Sequence, residues 1–332
     1  MMKDLVAAFP AQLREAVEIG RSYQFKQDVP AGIQNVLLTG LGGSGIGGSI
    51  VQNYVADKLR VPFLVNKDYR LPAFVGKGTL LIVSSYSGNT EETAAAMHAA
   101  LQSGAHVVCV TSGGKVAEEA ARHGLDCIVL PGGMPPRSCL GYSTVQVLFT
   151  LRHAGLLDAG DDDWESQIAA AAALIEGAQE QIKSEAAGIA KQLAKSMPII
   201  YADAGMEGVA IRFRQQLNEN GKMLCWHHAI PEMNHNELVG WRDEDDSRVV
   251  VMLRTAQDHP RSEMRMEINK GIIQKWTPNI LELRAQGEGW WQQAIWLIHL
   301  TDWISVYCAD ERGMDATEVN VIDFLKGELA KQ

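Results

Sequence analysis

Little in these 332 residues suits a lipid bilayer or a polyanion. No uninterrupted apolar run approaches about 18 residues, so the sequence predicts no membrane-spanning helix and no membrane partner. Positive charge is in deficit: 30 Lys and Arg against 40 Asp and Glu leave a formal charge of −10. That balance argues against a nucleic-acid partner, whose phosphates would need neutralising by cations. Cysteine is scarce and unpatterned. Cys109, Cys127, Cys139, Cys225 and Cys308 are scattered, odd in number and free of CxxC spacing. Neither a disulfide framework nor a zinc site is expected, and a reducing cytoplasm is the expected compartment. The opening Met1-Met2-Lys3-Asp4-Leu5 runs into an amphipathic pattern with Pro10 and charges inside it, unlike a secretory leader. What is present, 46% apolar and 21% charged residues, is ordinary for a globular protein. The length suggests two domains, because single cores stop growing near ~250–300 residues.

Residues 1–28 read as a helical lead-in. β-Branched apolar runs then predict strands at 35–39, 63–65, 79–84, 106–111 and 127–130, with helical spacing at 49–59, 91–103 and 117–123 between them. Such alternation predicts a doubly wound α/β sheet of about five parallel strands. An Ala-rich stretch at 163–194 reads as long helices, and the acidic patch 158–163 marks the joint before it. The pattern then restarts. Strands are expected at 197–202, 222–225, 249–253 and near 279–283, helices at 209–218 and 290–307, and a closing amphipathic helix around Leu325 and Leu329. The expected architecture is α/β: two doubly wound parallel-sheet domains with flanking helices, 1–155 and 156–332, suggesting an internal duplication.

Chemistry concentrates in two turns of the first unit. Gly40-Leu41-Gly42-Gly43-Ser44-Gly45 and Ser84-Ser85-Tyr86-Ser87-Gly88-Asn89-Thr90 each follow a strand and open a helix. The first exposes backbone N–H groups at a helix N-terminus, and the second adds side-chain hydroxyls. N–H groups, a helix dipole and hydroxyl donors with little fixed positive charge describe a pocket for a phosphate monoester. Candidate ligands are the N–H groups of Gly42 and Gly43 with Ser44, Ser85, Ser87 and Thr90; Ser84 is an alternative that strand alternation can turn into the core. The first turn also satisfies GxGxxG. A dinucleotide site calls for an acid at the end of the next strand, and that strand ends in Asn66-Lys67, with Asp68 beyond it. A third reading of the glycines is close strand–helix packing alone.

Together the two loops resemble the sugar-isomerase (SIS) domain. The resemblance narrows with Pro131-Gly132-Gly133-Met134-Pro135-Pro136-Arg137-Ser138-Cys139-Leu140-Gly141-Tyr142, Phe213-Arg214-Gln215-Gln216-Leu217-Asn218-Glu219-Asn220-Gly221-Lys222 and Pro231-Glu232-Met233-Asn234-His235-Asn236-Glu237-Leu238-Val239-Gly240-Trp241. In this order, and with Ile322-Asp323-Phe324-Leu325-Lys326, the chain resembles the bifunctional phosphoglucose/phosphomannose isomerase family from about residue 32 onward. The resemblance implies a homodimer of two-SIS-domain chains that needs no cofactor and no metal. It implies interconversion of glucose 6-phosphate, and usually mannose 6-phosphate, with fructose 6-phosphate through an enediolate.

That chemistry needs a base, a donor for the enediolate oxygens, and an acid–base group to open the ring. By resemblance these are Glu219, Arg137 and His235, the last contributed by the neighbouring subunit, with Lys326 approaching the reacting oxygens. Each has a plainer alternative: a helix-end acid, an interdomain salt bridge, the rival pair His227-His228, and a surface charge. Thr317, in Asp315-Ala316-Thr317-Glu318, stands where the family often carries Asp-Pro-x-Pro. Two other functions stay open on the same fold. One is isomerisation of a seven-carbon or amino-sugar phosphate; the other is a silent phosphosugar sensor, which would have no need of Glu219, Arg137 and His235 together.

Overall fold

A computed structural model describes residues 1–157 and 163–331. The first half runs α1 (Met2–Ala7), α2 (Phe9–Ser22), β1 (Asn35–Thr39), α3 (Gly42–Val55), β2 (Phe63–Asn66), β3 (Thr79–Ser84), α4 (Glu91–Ser103), β4 (His106–Thr111), α5 (Gly114–His123), β5 (Asp126–Val129) and α6 (Leu140–His153). The second runs α7 (Trp164–Gly177), α8 (Gln179–Leu193), β6 (Met197–Asp203), α9 (Glu207–Glu219), β7 (Trp226–Ile230), β8 (Arg248–Arg254), α10 (Pro260–Ile273), β9 (Ile280–Arg284), α11 (Gly289–Glu311) and α12 (Asn320–Leu329). The acidic joint at 158–163 lies outside the described residues except for Asp163, which caps α7 by accepting from the Ser166 N–H at 3.1 Å.

All strands pair in parallel, in the orders β2-β1-β3-β4-β5 and β7-β6-β8-β9. Parallel pairing follows from helical crossovers, which cover both faces and make strands such as Thr79–Ser84 buried at every position. The second sheet thus repeats the 2-1-3-4 order of the first. In each sheet the connections diverge after the first and third strands in chain order, which opens a crevice between β1 and β3 and another between β6 and β8. One continuous core joins the halves: α11, with Trp291, Trp296 and Trp303 buried, packs against α7, α8 and α9. Smaller clusters fill the outer faces of the two sheets.

Two expectations need correction. The helix predicted from residue 49 begins at Gly42, so most of the glycine run is helix rather than turn. The reason is packing: a Cβ on Gly45 would stand 2.3 Å from the Gly40 carbonyl oxygen, and one on Gly48 2.8 Å from Leu38. The strand predicted at 222–225 is absent, because those residues form the loop that follows α9. Met223 N–H donates to the Leu217 carbonyl at 3.1 Å and Asn218 Nδ2 to the Met223 carbonyl at 2.7 Å, which delays β7 until Trp226. The closing helix forms where expected, as α12, and buries none of its residues; Val321 and Phe324 are 82% and 69% exposed. No helix among the described residues is long and apolar enough to cross a membrane.

Candidate active site

The two glycine- and hydroxyl-rich segments meet at the β1/β3 crevice. Gly42, Gly43 and Ser44 form the first turn of α3; the Ser44 N–H donates to the Leu41 carbonyl at 3.1 Å, and the N–H groups of Gly42 and Gly43 are the leading ones, for which a helix offers no internal acceptor. Ser44 is the hinge between the loops: its Oγ accepts the Tyr86 N–H at 2.9 Å, and its carbonyl accepts from Ser84 Oγ at 3.3 Å. Ser84 is therefore a core tie rather than a ligand. Ser85 Oγ donates to Thr90 Oγ1 at 3.1 Å, and Ser87 Oγ accepts the Asn89 N–H at 3.3 Å while remaining exposed. Thr90 stands at the N-cap of α4. Gly88, at φ +67°, turns the loop where a Cβ would collide with the Gly113 carbonyl.

Beside this crevice lies the turn Pro136–Ser138, placed by Gly43. A Cβ on Gly43 would sit 2.6 Å from the Pro136 oxygen, so only glycine lets the two backbones touch. The turn presents Arg137, whose side chain is 4% exposed. Its guanidinium is nearly saturated. Nε donates to Asn220 Oδ1 at 2.7 Å, and Nη2 donates to the carbonyls of Ala316 and Thr317 at 2.8 Å each. Nη1 stands 3.6 Å from Glu219 Oε2. Burial pulls the Arg137 value down from its ordinary one, and the charges of Glu219, Asp315 and Glu318 oppose that. Glu219 is the last residue of α9, with its side chain 26% exposed, so it can meet a ligand. An anchored guanidinium with one nitrogen left over, facing a reachable carboxylate, can steady a negatively charged oxygen while that carboxylate exchanges a proton.

Comparisons with known proteins identify the family of the chain. A family model described as the bacterial phospho-glucose isomerase C-terminal SIS domain matches residues 182–329. A bifunctional phosphoglucose/phosphomannose isomerase of Caldicellulosiruptor bescii is 37% identical, covering 99% of each chain. The chain belongs to the bifunctional phosphoglucose/phosphomannose isomerase family. The family member of Aquifex aeolicus is 32% identical over 90% of this chain and 91% of its own. Among solved structures, the C-terminal domain of a Francisella tularensis glucosamine-fructose-6-phosphate aminotransferase superposes with a TM-score of 0.77 at 12% identity, covering 96% of this chain and 98% of that one. That likeness concerns the fold, a pair of α/β units of the SIS type.

Within this isomerase-family chain, not every expected site residue converges. Arg137 and Glu219 meet, and the interdomain tie offered as an alternative for Arg137 coexists with the site, since one guanidinium serves both. His235 ends the short helix Glu232–His235 beyond the C-terminal end of β7, whereas Glu219 precedes its N-terminal end. The five residues of β7 stand between them, and no hydrogen bond or ion pair joins the two among the described residues. His235 is exposed and available to another molecule. Lys326 sits on the exposed α12 and contacts neither Arg137 nor Glu219 among the described residues. Of the rival pair, His227 is pulled down to about 4, first by burial and then by Arg214, which leaves it neutral near pH 7. Its Nε2 stands 3.9 Å from Glu207, not from Glu219. A cavity of about 320 Å³ between α4 and α5, lined by Met97, His98, Lys115 and Glu119, contains none of these residues.

The sequence reading missed Asn220, which receives Arg137 through Oδ1 and donates from Nδ2 to Ser305 at 3.0 Å. It also missed that Thr317 acts through its backbone carbonyl. The loop needs no proline because Asp315 Oδ1 accepts the Thr317 N–H at 2.8 Å and supplies the turn. Asn220 lay inside a quoted motif; the signal was its place beside Glu219. Among the described residues, no group of three or more His, Cys, Asp or Glu is gathered as a metal site would be.

Proposed function

We propose that this protein is an aldose–ketose isomerase interconverting glucose 6-phosphate, and mannose 6-phosphate, with fructose 6-phosphate. The observation that carries the reading is the pairing of Arg137 Nη1 with Glu219 at 3.6 Å, beside the crevice lined by the two hydroxyl-rich loops, in a chain of this family. The phosphate binds the N–H groups of Gly42 and Gly43 with the hydroxyls of Ser44, Ser85, Ser87 and Thr90. Glu219 takes a proton from carbon 2 of the open-chain sugar and returns it to carbon 1. Arg137 Nη1 steadies the enediolate oxygen, and its other donors stay committed to Asn220, Ala316 and Thr317, so the guanidinium does not turn during the reaction.

The separation of His235 from Glu219 favours a homodimer in which the partner's loop brings the ring-opening imidazole to this site. On that arrangement Lys326 assists from α12 once the assembly covers the exposed helix. The chain is read as two SIS domains dividing near residues 155 and 156, working in the cytoplasm without metal or nucleotide. A coupled assay with glucose 6-phosphate and mannose 6-phosphate in separate reactions, in excess chelator, tests the activity and its independence of metal. Turnover of at least the glucose substrate is expected. No turnover of either, or activity restored only by added metal, refutes the reading.

A further inference from the structure

Among the described residues, only one other than glycine has a positive φ, and it lies three positions past Glu219. Lys222 sits at φ +53°, in the left-handed region that side chains disfavour, while its neighbour Gly221 does not. Gly221 is needed for another reason, since a Cβ there would meet the Leu217 carbonyl at 2.9 Å. The left-handed turn sends the Lys222 side chain back over the C-terminal end of α9. There Nζ donates to the Glu219 carbonyl at 2.5 Å and to the Glu318 carbonyl at 2.6 Å, with Glu318 Oε1 at 3.6 Å. An ammonium on the last carbonyls of a helix also complements the helix dipole.

Arg137 already holds the carbonyls of Ala316 and Thr317. Three successive carbonyls, 316, 317 and 318, are thus held by two cations, one of which also holds the backbone of the residue read as the base. Two residues further on, α12 begins. We propose that Lys222 is a positioning residue that locks the 316–318 loop to the end of α9, so that Glu219, Arg137 and the root of α12 form one rigid unit. The inference rests on the reading of Glu219 and Arg137 as the catalytic pair. Without the Lys222 ammonium, the Glu318 carbonyl is released, the two carbonyls that fix Nη2 of Arg137 become mobile, and the guanidinium loses the orientation that aims Nη1.

Two variants separate charge from backbone. Lys222→Gly relaxes the left-handed residue but removes the ammonium; Lys222→Arg keeps a cation. Lys222 is 19% exposed, so neither change opens a core. In Lys222→Gly, kcat is expected to fall about 10–100-fold, as for a small misplacement of reacting groups. KM should change by less than about threefold, because the phosphate loops do not touch Lys222. Lys222→Arg should recover most of the loss. Hydrogen exchange measured without substrate should accelerate at amides 317–323 in Lys222→Gly, and not in the 85–90 loop. A Lys222→Gly protein with wild-type kcat, or with exchange in 317–323 unchanged, overturns the proposal. Exchange does not depend on turnover. An inactive wild-type protein would therefore refute the reading of the site, while the exchange result alone would decide the clamp.

Discussion

Replacing Arg137 by Lys keeps the charge and removes the fork, and the structure sets what that costs. Arg137 spends three donors on three acceptors: Asn220 Oδ1 and the carbonyls of Ala316 and Thr317. An ammonium at the end of a shorter side chain cannot reach acceptors spread around a planar guanidinium, so at least two of the three are lost. A hydrogen bond to a charged group contributes about 1.5–3 kcal/mol, giving a gross loss of about 3–6 kcal/mol. The carbonyls of Ala316 and Thr317 are half-buried and can take up water, whereas Asn220 is fully buried and cannot. The net destabilisation is then about 2–4 kcal/mol. Catalysis loses a comparable amount, because Nη1 is the nitrogen of the guanidinium that stands 3.6 Å from Glu219. Loss of a single preorganised donor to a developing oxyanion lowers kcat by about 10²–10³-fold. Denaturant melts give the first quantity. Coupled kinetics, run well below the melting midpoints of both proteins, give the second. A folded Arg137→Lys protein with kcat within about twofold of wild type would refute the role given to the guanidinium.

Glu219→Gln keeps the shape of the base without its proton affinity. Turnover should fall by about 10²–10⁴-fold, and exchange of the carbon-2 hydrogen with heavy water should fall in parallel; wild-type exchange would point to another base. Thr90→Val and Ser87→Ala should mainly raise KM, with a smaller loss of kcat, because the phosphate is bound away from the reacting carbons; unchanged kinetics in both would remove these hydroxyls from the site. Glu219→Gln and His235→Ala proteins, each inactive alone, should regain activity when mixed under conditions of subunit exchange, since half of the sites in mixed dimers would be intact. A persistently inactive mixture with exchange proven by mass spectrometry would place both residues in one subunit's site.

What could be read from the sequence was what periodicity carries. The strands at 35–39, 79–84 and 106–111 and the helix at 91–103 fall where alternation, β-branching and helical spacing put them, because each is decided by local burial. The start of α3 was misjudged because the glycines of 42–48 look like a turn until the close approaches to Gly40, Leu38 and Pro136 are known. The strand expected at 222–225 failed because hydrogen bonds back to Leu217 and Asn218 outweigh its apolar composition. Resemblance supplied Arg137 and Glu219, and the structure brings them together. No periodic pattern encodes that Asn220, 83 positions away, receives the Arg137 Nε, or that Lys222 reaches the Glu318 carbonyl. The apolar side chains of α12 were legible, but not that none of them is buried among the described residues.

The repeated strand order raises the question of why one crevice, and not both, should take phosphate. In the β6/β8 crevice the corresponding positions are occupied by the protein's own carboxylates. Asp203, at the end of β6, accepts the Gly205 N–H at 2.8 Å, just before α9. Asp258, in the loop after β8, accepts the Thr255 N–H at 3.1 Å and the Thr255 hydroxyl at 2.6 Å. Burial raises the Asp258 value first and the nearby Asp203 charge adds to the rise, while the hydrogen bonds from Thr255 and the charge of Arg254 oppose it. A phosphate dianion would meet like charge where the first half offers the N–H groups of Gly42 and Gly43 and the hydroxyls of Ser85, Ser87 and Thr90. The second crevice therefore carries carboxylates, with the buried Arg254 guanidinium 3.9 Å from Asp258, where the first carries glycines and hydroxyls. This favours the proposal of one phosphate site per chain, in the first half, with α9 and its terminal Glu219 contributed by the second.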